Sequence, residues 1–484
     1  MTSQSPQLRW QLAAGTSGAA VEICTTRTCG TVVASANVVG SSYTPSSPLS
    51  AGVYFWRLRG RIGSSTSAVY SPVWQFTVGA LSAPIDTAAG TSLRDIDGDG
   101  YADVGVGGMT GSQYTVFRGR AGGLVTTPDY TITQPGTSGN EFGMGSTIMD
   151  VNRDGYADIL IGDYAFGSNV GRVFVYFGSS SGPSSVPSQT IDAPAGAALN
   201  FGFAFVPAGD VNGDGFADVI ISTRSLPYLY LGSATGIGTT PYYTFPIASG
   251  VGGLSYRLLP VPGDFNGDGY TDYFYYNDQY WGGPSTVTQG FAMPLAIGYV
   301  ANSSWASADF DVDGYSDLVI FYGWTNIWHY RGSSRGLANP VFQQFGTPDA
   351  MAVDFGRAAV TPGDLNGDGY PDLVVSDRYY TSSAGRAFVY LGSALGFATT
   401  PSETVYGTWG SNGQFAFAIG VTGDVDADGR SDVIIGSYVD WIYFFPGLAG
   451  GAGIGTTASP AIHKPMGLLN TYWGSQFPSA DNDS

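Results

Sequence analysis

Asp210-Val-Asn-Gly-Asp-Gly-Phe-Ala-Asp218 is the stretch that decides the fold. Side-chain oxygens stand at its positions 1, 3, 5 and 9, with glycine at position 6. Oxygens at alternate positions converge round a tight turn, and Gly215 can take the positive φ that such a turn needs. Position 7 is set to offer its backbone carbonyl, and Asp218 closes the shell. An all-oxygen shell of this size suits a hard cation, calcium rather than a transition metal. Val219, Ile220 and Ile221 follow, a β-branched run, so the loop leads into a strand. An EF-hand would carry glutamate at position 12, where this chain has Ile221, and no helix signal follows. The unit is strand, cation loop, strand.

The same phrase occurs seven times, starting at Asp95, Asp150, Asp210, Asp264, Asp309, Asp364 and Asp424, at intervals of 55, 60, 54, 45, 55 and 60 residues. Repetition at a fixed period marks a repeat architecture. The ligand positions are Asp95, Asp97, Asp99, Tyr101 and Asp103 in the first copy, and Asp150, Asn152, Asp154, Tyr156 and Asp158 in the second. They are Asp210, Asn212, Asp214, Phe216 and Asp218 in the third, and Asp264, Asn266, Asp268, Tyr270 and Asp272 in the fourth. The fifth has Asp309, Asp311, Asp313, Tyr315 and Asp317; the sixth Asp364, Asn366, Asp368, Tyr370 and Asp372; the seventh Asp424, Asp426, Asp428, Arg430 and Asp432. Up to seven Ca²⁺ are expected.

The surroundings repeat as well. Glu141-Phe-Gly, Asn200-Phe-Gly, Asp354-Phe-Gly and Gln414-Phe-Ala precede four of the loops. An apolar strand follows, such as Asp158-Ile-Leu-Ile-Gly, then a second that ends in a Gly-Ser turn, as in Gly171-Arg-Val-Phe-Val-Tyr-Phe-Gly-Ser. A fourth short strand completes the unit, for example Ser188-Gln-Thr-Ile-Asp192. Four strands in about 55 residues is the size of one propeller blade. The Phe-Gly phrase, the acidic loop and the strand after it resemble the FG-GAP repeat of integrin α-subunit heads over residues 84 to 484. The resemblance implies an all-β fold: a seven-bladed β-propeller with calcium loops between the first and second strands of each blade. Two departures stand out. The Phe-Gly phrase is missing before the first, fourth and fifth loops, where Arg257-Leu-Leu-Pro precedes the fourth. The fourth repeat also lacks the Gly-Ser turn.

Composition agrees with many short strands and turns: 484 residues, 43% hydrophobic, with 72 Gly and 31 Tyr. Net charge is −19, and the seven loops hold 24 of the 38 acidic residues. The acidity is therefore mainly a metal requirement. It also argues against nucleic acid, which calls for a basic surface. No apolar run has membrane length and no signal peptide is legible, so no membrane span is expected. The start, Met1-Thr-Ser-Gln-Ser-Pro, reads as a mature or cloned N-terminus. Calcium loops fill where calcium is abundant, so a secreted or cell-surface location is expected.

Residues 1–79 read as a separate small β-sandwich, and 80–484 as the propeller. Val53-Tyr-Phe-Trp-Arg-Leu-Arg and Ser71-Pro-Val-Trp-Gln-Phe-Thr-Val resemble the end of a fibronectin type III-like domain, with Trp56 and Trp74 as core residues. Cys24 and Cys29 flank four residues; in an exported protein a disulfide is expected, with free thiols the alternative. At the far end, Tyr472-Trp-Gly-Ser-Gln-Phe-Pro-Ser-Ala-Asp481 echoes Asn200 to Asp210, like a first strand without its blade. Either it closes the ring by pairing into the first blade, or it belongs to a longer array.

Because strands alternate in direction, the connections between second and third strands lie on the face opposite the calcium loops. They are rich in rings, and Tyr164, Tyr228, Trp281, Trp324, Trp328, Tyr380 and Trp441 are the candidate ligand contacts. Exposed flat rings among a few charges suit a glycan or a protein ligand. The alternative for each ring is packing between blades. In integrins the ligand binds opposite the calcium loops, and the resemblance implies the same geometry. Enzyme signals are poor. Gly178-Ser-Ser-Ser-Gly182 has a nucleophile-elbow spelling but falls on a Gly-Ser turn, and His329 and His463 are the only histidines. The expectation is a calcium-binding adhesion or lectin-like module and not an enzyme. A secreted carbohydrate-active enzyme and a structural scaffold are the alternatives.

Overall fold

The computed structural model describes residues 8–463 apart from short internal stretches, the longest being 79–93, 247–258 and 293–302. Among the described residues the chain is almost entirely antiparallel β. Seven small sheets follow the seven acidic loops in turn. The second is typical: Phe142–Met149, Asp158–Asp163, Arg172–Tyr176 and Gln189–Asp192 pair in chain order. Five of the other sheets repeat this meander, and the first shows three strands, Val104–Val106, Gln113–Phe117 and Tyr130–Thr133. The fourth sheet keeps four strands despite its short repeat. Its second and third strands, Asp272–Tyr275 and Asp278–Trp281, are joined by two residues only. The segment 472–481 lies outside the described residues.

The Phe-Gly phrase has a backbone reason. Gly143, Gly202 and Gly356 take φ of +90°, +84° and +78°, and register shifts at Phe142/Ser146 and Phe355/Ala359 mark bulges there. In the seventh sheet Ala416 does the same work at φ +61°. The phenylalanines Phe142, Phe201, Phe355 and Phe415 fill the space between neighbouring sheets and are buried. One such inter-sheet core joins Val173, Val175 and Ile191 to Phe201, Val219 and Tyr230. Each large apolar side chain buried this way contributes about 1.5–3 kcal/mol.

The sheets are also stitched through the loops. In five of the loops the N–H at position 8 donates to the position-1 carbonyl of the preceding loop. Ala157 bonds to Asp95 at 2.8 Å, Ser316 to Asp264 at 2.9 Å and Ser431 to Asp364 at 2.9 Å. Ala102 bonds to Asp424 at 3.1 Å, which returns from the last loop to the first. Apolar packing follows the same path, with Val104 and Phe117 against Ile434 and Phe444. The arrangement is an all-β, propeller-like fold whose last described sheet meets its first.

The N-terminal module is built on Gly18–Cys24, flanked by Val32–Val39 and Gly52–Ile62, with Trp74–Val78 beyond. Leu8, Trp10, Val21, Ile23, Tyr54 and Phe76 form its core. Trp56 and Trp74 meet at 4.8 Å with tilted rings; Trp56 packs against this core, and both rings are half-buried. Cys24 and Cys29 are joined as a disulfide. The module rests on the acidic-loop side of the sheets. A Cβ built on Gly314 would lie 3.1 Å from Trp74 Cζ2, and one on Gly215 would lie 3.9 Å from Phe55 Cζ.

Candidate metal centre

The second to seventh acidic loops each link the first strand of a sheet to the second, which opens on the position-9 aspartate: Asp158, Asp218, Asp272, Asp317, Asp372 and Asp432 begin strands. The third loop shows the local logic. Asp210 Oδ1 accepts the N–H groups of Gly213 at 2.6 Å and Asp214 at 3.0 Å, and its Oδ2 accepts that of Gly215 at 2.9 Å. Gly215 has φ +91°, the left-handed turn that the sequence calls for. Asn212 Oδ1 accepts the Asp214 N–H at 3.1 Å, and Asp214 Oδ1 accepts that of Phe216 at 3.0 Å. Asp218 ties both ends, taking Val211 N–H at 2.8 Å and Gly232 N–H at 2.9 Å. The backbone thus wraps the carboxylates before any ion is considered.

The glycine that binds position 9 recurs in every copy. Gly119, Gly178, Gly282, Gly332, Gly392 and Gly447 donate to Asp103, Asp158, Asp272, Asp317, Asp372 and Asp432 at 2.8–3.0 Å. These are the glycines of the turn that closes the third strand. The Gly-Ser spelling is a turn: Ser179 Oγ donates to Gly182 O at 2.8 Å, and Ser233, Ser333 and Ser393 repeat the bond.

Charge crowds in these loops. Carboxylate oxygens of Asp95, Asp97 and Asp99 lie within 4.8 Å of one another, as do those of Asp309, Asp311 and Asp313, and of Asp424, Asp426 and Asp432. Burial, then repulsion among neighbours, pushes Asp95 up to about 7; burial also takes Asp150 to about 7 and Asp313 to about 6. Burial holds Asp103, Asp158, Asp218, Asp272, Asp317, Asp372 and Asp432 well above the usual range. A set of hard oxygens held together at such a cost is suited to a divalent cation, whose charge offsets the repulsion. The donor set fits. Position-7 residues Tyr101, Tyr156, Phe216, Tyr270, Tyr315, Tyr370 and Arg430 each donate their backbone N–H to position 5 at 3.0–3.1 Å.

The opposite face differs from the sequence expectation. Tyr228, Trp281, Trp328 and Trp441 lie on third strands, not in connections. Tyr164 and Tyr228 are buried, 6% and 5% exposed, so they are not rim rings. Trp281 ends its strand on the acidic-loop side and is wedged against Gly290 and Gly336. Trp328 and Trp441 are half-buried against inter-sheet cores. The physical reason is strand alternation, which turns every second ring between sheets. Trp324 lies outside the described residues. Tyr380 keeps the expected position, beside Tyr379 at 39% and Tyr406 at 52% exposure. Arg386 lies 3.8 Å from the Tyr380 ring centroid, and Arg378 4.6 Å from that of Tyr379. Arg378 and Arg386 are themselves fixed by Asp354 and Asp377.

Sequence reasoning missed Arg118, Arg331 and His329, all of which reach into acidic loops. The two arginines stand just before the position-9-binding glycine, a place whose link to the loop shows only once the hairpin is folded.

Comparison with known proteins agrees with the loops. The FG-GAP-like repeat model matches residues 95–161, 210–275 and 309–375. Six of the seven loops lie within the residues that it matches, two in each stretch. Rat integrin alpha-7 is 30% identical over 175 residues, covering 34% of this chain and 14% of the integrin. Drosophila integrin alpha-PS5 is 35% identical over 153 residues, 28% of this chain and 15% of the integrin. The chain thus matches about a seventh of the length of these relatives. A solved rhamnogalacturonan lyase PL11 of Bacillus licheniformis aligns over 89% of each chain, at 11% identity and a TM-score of 0.35. Among the described residues no helix is long and apolar enough to cross a membrane.

Proposed function

We propose that this chain is a calcium-stabilised, seven-bladed propeller that binds an extracellular ligand, with a fibronectin type III-like module at its N-terminus. The loops take Ca²⁺ in a structural role, and the ligand sits on the opposite face. The observation that carries the binding reading is a ring cluster: exposed Tyr379 and Tyr406 flank the half-buried Tyr380, with the guanidinium of Arg378 against Tyr379 and the buried one of Arg386 against Tyr380. The integrin likeness supports a protein ligand; flat rings beside cations would also serve a glycan. The module acts by binding and not by catalysis, outside the cell or on its surface. A glycan array and a panel of extracellular-matrix proteins, probed in Ca²⁺, test this. Tyr380→Ala and Tyr406→Ala should each weaken any bound ligand by roughly tenfold or more; unchanged binding of a ligand captured by the native chain would refute the proposed face.

One observation favours a second reading, a carbohydrate-active enzyme. Glu141 and Asp163 each keep a buried oxygen without a hydrogen-bond partner, and burial raises the Asp163 carboxyl, with Glu141 adding to the rise. Cleavage of an oligosaccharide, lost in Glu141→Gln, would establish that reading in place of the first.

A further inference from the structure

Arg118, Arg331 and Arg430 pair with carboxylates of the three loops that carry aspartate at position 3. Arg118 Nη2 donates to Asp99 Oδ2 at 2.6 Å, and its Nε is ion-paired with Asp97. Arg331 Nε lies 2.7 Å from Asp311 Oδ2. Arg430 is paired with Asp428. In the other four loops position 3 is asparagine, and its Nδ2 donates to the position-5 carboxylate at 2.9–3.0 Å. The site that holds Arg118 and Arg331 holds apolar side chains in the other sheets, Phe177, Leu231 and Leu391 among them. In the seventh loop the guanidinium comes from position 7 instead. Four carboxylates with one guanidinium carry a formal charge of −3, as do three carboxylates with an asparagine.

We propose that Arg118, Arg331 and Arg430 are resident counter-ions, each assigned to a four-carboxylate loop. They bring those loops to the charge of the asparagine loops, so every loop presents the same charge to a divalent ion. They also hold those loops together when no ion is bound. This rests on the cation reading above. A guanidinium suits the task because it stays protonated and can bridge two carboxylates through its fork of N–H groups. Its pose does not depend on the acids alone. Arg331 Nη2 donates to Ala394 O at 3.0 Å, and the guanidinium lies 3.7 Å from the Phe342 ring centroid. The stem of Arg430 packs on the sixth loop, with Cγ 3.5 Å from a Cβ built on Gly367. Arg153, at position 4 of the second loop, leans away instead, its Nη1 2.8 Å from a Cβ built on Gly215 in the next loop.

The test is a charge cycle in the fifth loop: Arg331→Leu, Asp311→Asn, and the pair together, which rebuilds the pattern of the third loop. Melting temperature in EDTA and in Ca²⁺, and a calcium isotherm on the whole chain, are the readouts. Arg331→Leu should lower the melting temperature in EDTA by about 3 °C or more and enlarge the gain on adding calcium. Asp311→Asn should weaken calcium at one site by roughly tenfold. The double variant should return both quantities to native values. A double variant no better than the worse single one would overturn the proposal. So would four bound ions instead of seven, because the guanidinium would then replace the metal. If Arg331→Leu does not fold, Arg118→Leu with Asp97→Asn repeats the cycle in the first loop. If no loop takes a divalent ion, the cation reading itself fails, and the EDTA melts still decide whether the arginines hold the loops.

Discussion

His329 Nε2 lies 3.1 Å from Asp317 Oδ2, and both side chains are fully buried. In the first, second, third, sixth and seventh loops that carboxylate oxygen takes a backbone N–H from position 2, as Val211 gives to Asp218 at 2.8 Å. In the fifth, a side chain from the third strand stands in that place. The imidazole sits among Phe310, Phe342 and Phe397, and burial lowers it to about 4, so it is neutral at physiological pH. His329→Phe should keep the packing and leave Asp317 short of a donor. A loss of about 1–3 kcal/mol in chemical denaturation is expected.

Without divalent ions, stability should fall as pH rises. Asp95 and Asp150 titrate at about 7 and Asp313 at about 6 in the folded chain, against 3.8 for an unperturbed aspartate. The folded state therefore binds more protons than the unfolded state between those limits, and the stability is lost as pH climbs through the folded values. His329, lowered from 6.5, opposes this below pH 6.5. Melting in EDTA should occur at a higher temperature at pH 6.5 than at pH 8. In Ca²⁺ the order should reverse, since the ion must displace those protons.

Asp214→Ala removes one oxygen from the third loop and the acceptor for Phe216 N–H. The melting temperature should drop far more in millimolar Ca²⁺ than in EDTA. A site filled at a hundredfold excess over its dissociation constant contributes about 2.7 kcal/mol. Equal drops in the two buffers would count against a bound ion there.

Gly162→Ala tests the contact between the second and third sheets. Its Cβ would fall 1.9 Å from Gly202 O, a backbone atom that no rotamer can move. A loss of about 1–3 kcal/mol or failure to fold is expected, read by circular dichroism.

The repeated loop, the strands around it and the turn that follows were legible in the sequence because each depends on residues a few positions apart. Asp210, Gly215 and Asp218 form one local circuit of hydrogen bonds, and the spelling records it. The rings were harder. Tyr228 and Trp441 look alike in sequence, yet one is buried inside its sheet and the other half-covered, since the direction of a side chain depends on the register of pairing. Arg118 and Arg331 were illegible for a related reason: they act on Asp97 and Asp311 some 20 residues upstream. Only the whole hairpin brings them back to the loop.

Trp74 at Gly314 and Phe55 at Gly215 give the molecule a front and a back. The N-terminal module is a plinth under the acidic side, and the loops it stands on are screened from large visitors. Tyr379 and Tyr406 stand clear of it on the far side, open to solvent.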